Sequence, residues 1–275
     1  MSSDTDGDTD SDTDSDTDSD CFAPIADFAT DDGGFGAADR EIVEIGTGDS
    51  VSLFRPADVN FGQNGCKYPL LVWGNGMTNT VDIWASHLSR VATFGFIVVA
   101  PEQTEVNAEH MNDALDYIIA LSQDPASDYY NKVDTSKLGA TGYSLGGMGA
   151  MRVAADSRIG ATFIWDSSGT ASSLHGPLGG IFASDSMFGS WTDMIDSCAH
   201  PAFGMEAEGT DHTSILRYLG GFGGFGGTPP YAQEAYVAWF RWHFMGDLAA
   251  EALFAGDSSG FCTRDGITVH TNNLD

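Results

Sequence analysis

The feature that most constrains the fold is the segment Lys137–Gly147, which contains the pattern Gly-x-Ser-x-Gly centred on Ser144. A short apolar run precedes this serine, and a run of small residues that ends at Ala155 follows it. The two runs predict a strand and then a helix, joined by a tight turn. Because glycine has no Cβ, Gly142 and Gly146 would allow that strand and helix to approach closely. The turn would lift the serine hydroxyl clear of the sheet edge, with the helix N-terminus pointing at it.

Apolar strand patterns alternate with amphipathic helix patterns along the rest of the chain. This alternation predicts an α/β fold, in which a mostly parallel, twisted sheet carries helices on both faces. Ligands of such folds bind at the carboxyl ends of the strands, where the pattern also places Ser144. Strands are predicted at 40–46 and 51–56, as an opening antiparallel pair, and at 68–73, 96–101, 138–143, 161–165, 180–183 and 201–205. Helices are predicted at 83–91, 111–119 and 231–254. The last helix has Tyr236, Trp239, Phe240, Phe244 and Leu248 available for a buried face.

The first twenty residues differ in composition from the rest of the chain. Asp alternates there with Ser or Thr, and no apolar residue follows Met1. Such a segment cannot bury a core, so we expect a disordered acidic spacer at 1–20. No internal repeat and no domain boundary is evident after Cys21, and we expect a single catalytic domain at 21–275.

The chain is strongly acidic, with a net charge of −29. Only nine of its 40 acidic residues lie in the spacer, so the domain is acidic in its own right. Nucleic acid and anionic membrane surfaces are excluded as expected partners, because both require a basic protein surface. The acidity favours solubility, with calcium binding by the spacer as the alternative.

Four cysteines are present, at positions 21, 66, 198 and 262, without the spacing of a zinc site. Together with the spacer, the even count favours an exported protein with two disulfides, whose pairing the sequence leaves open. Four buried thiols in a cytosolic protein are the alternative. No apolar run approaches the roughly 20 residues that span a bilayer. We expect a secreted or extracellular protein, with a lipid anchor attached through a removed N-terminal signal as an open possibility.

Serine chemistry at neutral pH requires two further side chains. A base must take the proton of the Ser144 hydroxyl, and an acid must orient that base. Where the nucleophile is mounted in this way, the acid and then the histidine follow it along the chain. Asp185 follows one predicted strand and His212 follows the last one, so we assign Asp185 as the orienting acid and His212 as the base. Asp166, which follows the strand at 161–165, is the rival acid.

An oxyanion formed on Ser144 would need two preorganised N–H donors. One is the backbone of Leu145, the residue after the nucleophile. The second is expected from the loop after the strand at 68–73, where we favour the Met77 N–H and regard Gly76 as its competitor.

Three segments resemble the polyester hydrolases of the cutinase type. This family of the α/β-hydrolase superfamily includes bacterial poly(ethylene terephthalate) hydrolases and dienelactone-hydrolase-like relatives. Gly76–Thr78 stands where the family has Gly-aromatic-Thr, and Phe94–Val99 is similar to its Gly-Phe-Val-Val strand. Ile164–Ser168 is similar to the family segment that carries a substrate-contacting tryptophan. The resemblance covers roughly residues 69–212.

The resemblance implies an α/β-hydrolase fold without a cap domain and a triad of Ser144, His212 and Asp185. It also implies Met77 and Leu145 as oxyanion donors and Trp165 on the substrate wall, and we count Gly76 with Trp165 as substrate-binding. Neither a metal nor an organic cofactor is implied.

The chain departs from the family in three places. Met77 replaces the usual aromatic residue, the cysteine pattern differs, and a Gly/Phe loop at 219–227 has no counterpart. Only about ten residues after Trp165 are available for a lid, so we expect an open, lidless site whose apolar walls are Trp165 and the Gly/Phe loop. A half-buried core position is the alternative for Trp165.

These observations predict a monomeric serine esterase that acts on a neutral ester, chiefly a polyester, by ping-pong acyl transfer. Two alternatives stay open: an esterase for small esters without polymer activity, and a catalytically silent binding protein with the hydrolase fold. The triad residues argue against the silent protein, because all three are available.

Overall fold

A computed structural model of the chain describes residues 21–29, 32–46, 48–57, 61–62, 65–214, 230–255 and 260–274. The expected spacer at 1–20 and the Gly/Phe loop at 219–227 lie outside the described residues. The division of the chain into a spacer and one catalytic domain therefore stays a prediction.

The described residues form one nine-stranded sheet. Its strands are β1 (Glu41–Glu44), β2 (Ser50–Phe54), β3 (Tyr68–Gly74), β4 (Ile97–Pro101), β5 (Val133–Tyr143), β6 (Ile159–Trp165), β7 (Leu178–Asp185), β8 (Ala202–Asp211) and β9 (Ile267–Asn272). Their spatial order is β1-β2-β4-β3-β5-β6-β7-β8-β9. Strands β3 to β8 pair in parallel, whereas β1, β2 and β9 run antiparallel to their neighbours.

Helices cover both faces of this sheet, as the alternating pattern predicts. They are α1 (Val81–Thr93), α2 (Ala108–Gln123), α3 (Leu145–Val153), α4 (Trp191–Asp196), α5 (Pro230–Met245) and α6 (Leu248–Glu251). Buried residues of α1 and α5 join one hydrophobic cluster, and those of α2, α3 and α4 join a second. Strand β3 feeds both clusters, because Leu71 and Trp73 point to the first and Leu70 and Val72 to the second. The α/β-hydrolase fold class is confirmed.

The link between β6 and β7 runs from Asp166 to Pro177. Its only helical element is a 3-10 turn at Ala171–Ser173. This link therefore supplies no cap domain, in agreement with the expectation from the sequence.

The C-terminal helical pattern is divided into two helices. Gly246 has a φ of +65°, which ends α5, and the Asp247 carboxylate accepts hydrogen bonds from Ala249 N and Ala250 N at the start of α6. The same carboxylate binds the buried Arg241 guanidinium at 2.8 Å. Of the residues expected on the buried face, Leu248 is instead 75% exposed, because the break at Gly246 ends the helical period of α5.

One disulfide joins Cys21 to Cys66. It ties the start of the domain to the segment that enters β3. Cys198 is buried and Cys262 is exposed, and neither is in a disulfide. The expectation of two disulfides is therefore corrected to one. None of the described helices is both long enough and apolar enough to cross a bilayer.

Candidate active site

Ser144 occupies the sharp turn between β5 and α3. Its backbone φ is +55° and ψ is −121°, a conformation that L-residues adopt only where the surroundings enforce it. The Ser144 carbonyl accepts hydrogen bonds from Met148 N at 3.1 Å and from the Ser167 hydroxyl at 2.6 Å. The Ser144 N–H donates to Trp165 O at 3.1 Å. These bonds hold the turn rigidly at the carboxyl end of the sheet.

Close packing of β3, β5 and α3 explains the glycines on either side of this turn. A Cβ on Gly146 would lie 2.0 Å from the Gly74 carbonyl oxygen. A Cβ on Gly142 would lie 2.6 Å from the backbone of Gly146. Both distances are far below van der Waals contact, so the turn between β5 and α3 requires glycine at these positions.

A chain of hydrogen bonds links three strand ends at the sheet edge. His212 Nε2 lies 2.9 Å from the Ser144 hydroxyl oxygen. Its other ring nitrogen, Nδ1, lies 2.6 Å from Asp166 Oδ2. Ser144 follows β5, Asp166 follows β6 and His212 follows β8. This is the arrangement in which a carboxylate orients an imidazole that takes a proton from a serine.

The structure corrects the assignment of Asp185 as the acid beside His212. Trp165 at the end of β6 pairs with Ile181 on β7, whereas Asp185 pairs with Asp211. Asp185 thus lies four residues, or roughly 13 Å, farther along β7 than Ile181, the partner of Trp165. It is exposed to solvent there.

Asp166 is fully buried beside the imidazole. Its N–H donates to Ile181 O at 2.6 Å, and its Oδ1 accepts from Ala183 N at 3.0 Å. The backbone φ of Asp166 is +34°, again an uncommon value for an L-residue. Neighbouring strand β7 therefore fixes both the backbone and the carboxylate of Asp166, while its second oxygen faces His212.

Aromatic rings and a tight turn hold the imidazole of His212. The ring of Tyr143 stacks on it at a centroid distance of 4.9 Å, and the ring of Phe188 meets it edge-on at 5.1 Å. The Tyr143 hydroxyl donates to the His212 carbonyl at 2.7 Å. Asp211 shapes the turn, because its Oδ1 accepts from Thr213 N and Ser214 N. These hydrogen bonds lower the pKa of the Asp211 carboxyl.

Burial raises the pKa of the Tyr143 phenol, and the nearby charge of Asp166 adds to this effect. The phenol therefore stays protonated at neutral pH and can donate this hydrogen bond. Sequence reasoning missed the contributions of Tyr143 and Phe188, although the position of Tyr143 directly before the nucleophile was a usable signal.

The loop after β3 lies against the nucleophile, as the sequence predicts. Met77 and Leu145 both line the cleft that contains Ser144 and His212. The Thr78 N–H is already used, because it donates to Thr104 O at 2.9 Å. Gly76 is buried below the cleft, and a Cβ there would lie 2.6 Å from the Tyr143 ring. Gly76 thus supports the loop and does not line the cleft, which corrects its assignment as a substrate-binding residue.

The cleft at Ser144 has a volume of about 550 Å³. It is mostly apolar and is lined by Met77, Thr78, Asn79, Tyr143, Ser144, Leu145, Met148, Met187, Phe188, His212 and Thr213. Two of its methionines are strongly exposed, Met77 at 58% and Met187 at 71%. Flexible thioether side chains adapt to ligands of different shapes.

Trp165 does not form a wall of this cleft. It is completely buried at the carboxyl end of the sheet, where its ring contacts His87, Phe163 and Tyr236. Its backbone belongs to β6, and the side chain points into the core cluster shared with α1 and α5. The family-based assignment of Trp165 as a substrate-binding residue is thus corrected to a core residue.

No metal site is evident in the part of the chain that the structure describes, since no group of three or more His, Cys, Asp or Glu side chains is placed to hold an ion.

Comparison with known proteins gives a consistent family. Residues 62–198, about half of the chain, match the family described as PETase, PET hydrolase-like. Cutinase est1 of Thermobifida alba is 33% identical over 93 residues, which cover 32% of this chain and 30% of that cutinase. Cutinase 2 of Thermobifida cellulosilytica is 35% identical over 71 residues, which cover 24% of this chain and 26% of that protein. The chain thus spans less than a third of the length of these relatives.

Proposed function

Because the chain is a cutinase-like member of the α/β-hydrolase superfamily, we propose that it is a serine carboxylic-ester hydrolase. The observation that carries this proposal is the hydrogen-bonded series Ser144–His212–Asp166, with distances of 2.9 and 2.6 Å. A chain that had lost catalysis would have no reason to keep this geometry at a strained serine. The silent binding protein is therefore the weaker alternative.

The proposed reaction proceeds by two acyl transfers. The Ser144 hydroxyl attacks the ester carbonyl while His212 Nε2 takes its proton, and the imidazolium formed is stabilised by Asp166. His212 then gives this proton to the leaving alcohol, which leaves an acyl group on Ser144. Water enters, gives a proton to His212 and attacks the acyl carbon, and the acid product leaves with Ser144 restored.

The charge on the carbonyl oxygen would be stabilised by the Met77 and Leu145 N–H groups. Leu145 is the first residue of α3, where backbone N–H groups have no partner within the helix. The positive end of the α3 dipole also points at this position. Met77 lies on the facing loop across the same cleft.

The cleft favours a neutral ester with an apolar, flexible acyl or alcohol part. Methionine, leucine and phenylalanine side chains provide most of its surface, and the buried Trp165 offers no stacking platform. An aliphatic polyester fits this surface better than a rigid aromatic one. Small aliphatic esters, the second candidate, fit for the same reason.

The disulfide between Cys21 and Cys66 supports the proposal that the protein is exported, because such bonds persist in oxidising compartments. We expect it to act as a monomer.

The test is hydrolysis of 4-nitrophenyl butyrate and of an aliphatic polyester film by the wild-type and Ser144→Ala proteins. Activity on both substrates that disappears in the variant would support a polyester hydrolase. Activity on the soluble ester alone would support the small-ester esterase. Equal rates with wild type and Ser144→Ala would overturn the proposal.

A further inference from the structure

A second cavity continues from the catalytic cleft along α3. It has a volume of about 380 Å³ and shares Met148 with the cleft. Its chemistry differs from that of the cleft, because three hydroxyl-bearing residues and one arginine stand among its apolar lining residues. The residues that define it are Met148, Met151, Arg152, Ser168, Thr170 and Ser173.

The two cavities are joined along one face of a helix. Ser144, Met148 and Arg152 are spaced by four residues, so they follow each other on the same side of α3. With a rise of 1.5 Å per residue, Arg152 lies about 12 Å from the nucleophile along the helix axis. Met148 therefore lies between Ser144 and Arg152 along the helix, and it lines both cavities.

Arg152 is the only cationic side chain among the described residues that line the second cavity. No described residue forms an ion pair with it, although the chain holds 40 acidic residues against 11 basic ones. Asp156, one helical turn later in sequence, is bound at 2.9 Å by Arg158. Among the described residues that line the second cavity, none carries a carboxylate.

Ser168 and Thr170, which carry hydroxyl groups, line the same cavity. A guanidinium beside hydroxyl donors, in a cavity free of negative charge, suits a carboxylate. A neutral ligand would leave the Arg152 charge unused, and a cation would be repelled.

We propose that this cavity binds a carboxylate at the far end of the substrate, about 12 Å from the ester carbonyl. The substrate class is an ester whose aliphatic chain ends in a free acid, such as the acid-ended oligomers that the first cuts in a polyester release. Their apolar chain would cross Met148 while their carboxylate meets Arg152, Ser168 and Thr170. This inference rests on the proposed ester hydrolysis at Ser144.

The experiment compares kcat/KM for 4-nitrophenyl hydrogen sebacate with that for its methyl-capped counterpart. We expect wild type to prefer the acid-ended ester by about three- to tenfold at low salt, the range of a partly exposed ion pair with added hydrogen bonds. The preference should reside in KM, should shrink as salt screens the charge and should be absent with the succinate ester, which is too short to reach Arg152.

In Arg152→Gln the ratio of the two kcat/KM values should fall to about one, and Arg152→Lys should retain part of it. The matched control is Arg158→Gln, which removes a guanidinium from the same surface where it is already paired with Asp116 and Asp156. An equal ratio in wild type and Arg152→Gln, or an equal loss in Arg158→Gln, would overturn the inference.

A binding measurement separates this inference from the proposed function. Monomethyl sebacate is titrated calorimetrically into Ser144→Ala, with and without Arg152→Gln. Weaker binding in the double variant would support the carboxylate site even if the wild type hydrolysed no ester. Equal affinities, together with Ser144-dependent hydrolysis by wild type, would overturn the carboxylate site alone.

Discussion

The phenol ring of Tyr143 lies parallel to the imidazole of His212, with the ring centroids 4.9 Å apart and the planes inclined by 16°. The Tyr143 hydroxyl also donates to the His212 carbonyl at 2.7 Å. The residue directly before the nucleophile thus positions the base that would activate it. Because the Tyr143 side chain contacts both the ring and the backbone of His212, it restricts rotation of the imidazole and movement of the backbone that carries it.

Removal of the phenol oxygen separates these two contacts. In Tyr143→Phe the stacking remains while the hydrogen bond to His212 O is lost, at a cost of about 1 kcal/mol. We expect kcat for 4-nitrophenyl butyrate to fall about fivefold with little change in KM. Steady-state kinetics check this, and Tyr143→Leu, which removes the ring as well, should be clearly worse. Equal kinetics in wild type and Tyr143→Leu would contradict a positioning role.

The acid beside His212 can be identified with two matched variants. Asp166→Asn replaces the carboxylate that lies 2.6 Å from Nδ1, and the amide can no longer stabilise an imidazolium. We expect kcat to fall by a factor on the order of 10⁴. Asp185→Asn changes an exposed carboxylate on the neighbouring strand and should retain most of the activity. The reverse pattern would restore the sequence-based assignment.

The difference between the two aspartates shows where sequence reasoning stopped. The pattern around Ser144 predicted the strand, the turn and the helix, because glycine spacing and apolar runs are local properties. His212 can be identified from the sequence because it follows a predicted strand in the required chain order. The acid depends on how far β7 extends past β6, which is a matter of register between strands. Register depends on long-range pairing, so the sequence favours Asp185 although Asp166 reaches the imidazole.

Burial was similarly hard to predict for side chains at the ends of elements. Trp165 closes β6, and whether its ring faces the cleft or the core depends on the pleat and on α5 packing behind it. Leu248 fits the helical period of α5, but Gly246 interrupts that period. Strand β9 carries a half-exposed pattern, which gives no continuous apolar signal.

Gly146 should tolerate no side chain. In Gly146→Ala the new methyl group would lie 2.0 Å from Gly74 O, so β3 and α3 must separate. We expect the free energy of unfolding to fall by about 3 kcal/mol or more and activity to be lost. Gly149→Ala, in the same helix, is the control, because its nearest neighbour is the Met111 sulfur at 3.1 Å. Urea unfolding should show a change of less than about 1 kcal/mol for this control.

The disulfide should contribute to stability without affecting catalysis. It joins residues separated by 45 positions, and loop-closure entropy predicts a loss of about 4 kcal/mol when it is removed. The double variant Cys21→Ser/Cys66→Ser should therefore have a lower Tm than wild type. Wild type in reductant should show the same lowered Tm as this variant. Cys262→Ser changes an exposed cysteine outside the disulfide, so this variant should keep the Tm of the oxidised wild type. Calorimetry with and without reductant checks this; equal Tm values in both conditions would contradict it.

Two histidines, the buried His87 and the half-buried His243, should make the fold sensitive to mild acid. Burial lowers the pKa of His87 to about 3 and that of His243 to about 4, whereas both rise to about 6.5 on unfolding. The unfolded chain therefore binds protons that the folded one does not as pH falls below 6.5. The free energy of unfolding that the two neutral histidines contribute is fully present above that pH. It decreases toward pH 4 by about 1.4 kcal/mol per pH unit for each histidine.

Replacement of one of these two histidines should remove its contribution to the pH dependence of the free energy of unfolding. In His87→Leu, a change that suits the apolar surroundings of α1, the loss of unfolding free energy between pH 6.5 and 5 should shrink by about 2 kcal/mol. Urea unfolding at the two pH values measures this difference. His175→Gln alters an exposed histidine and should leave the loss unchanged. If His87→Leu kept the full wild-type pH dependence, His87 would be titrating in the folded protein, and its burial between Trp73 and Tyr236 could not be as described.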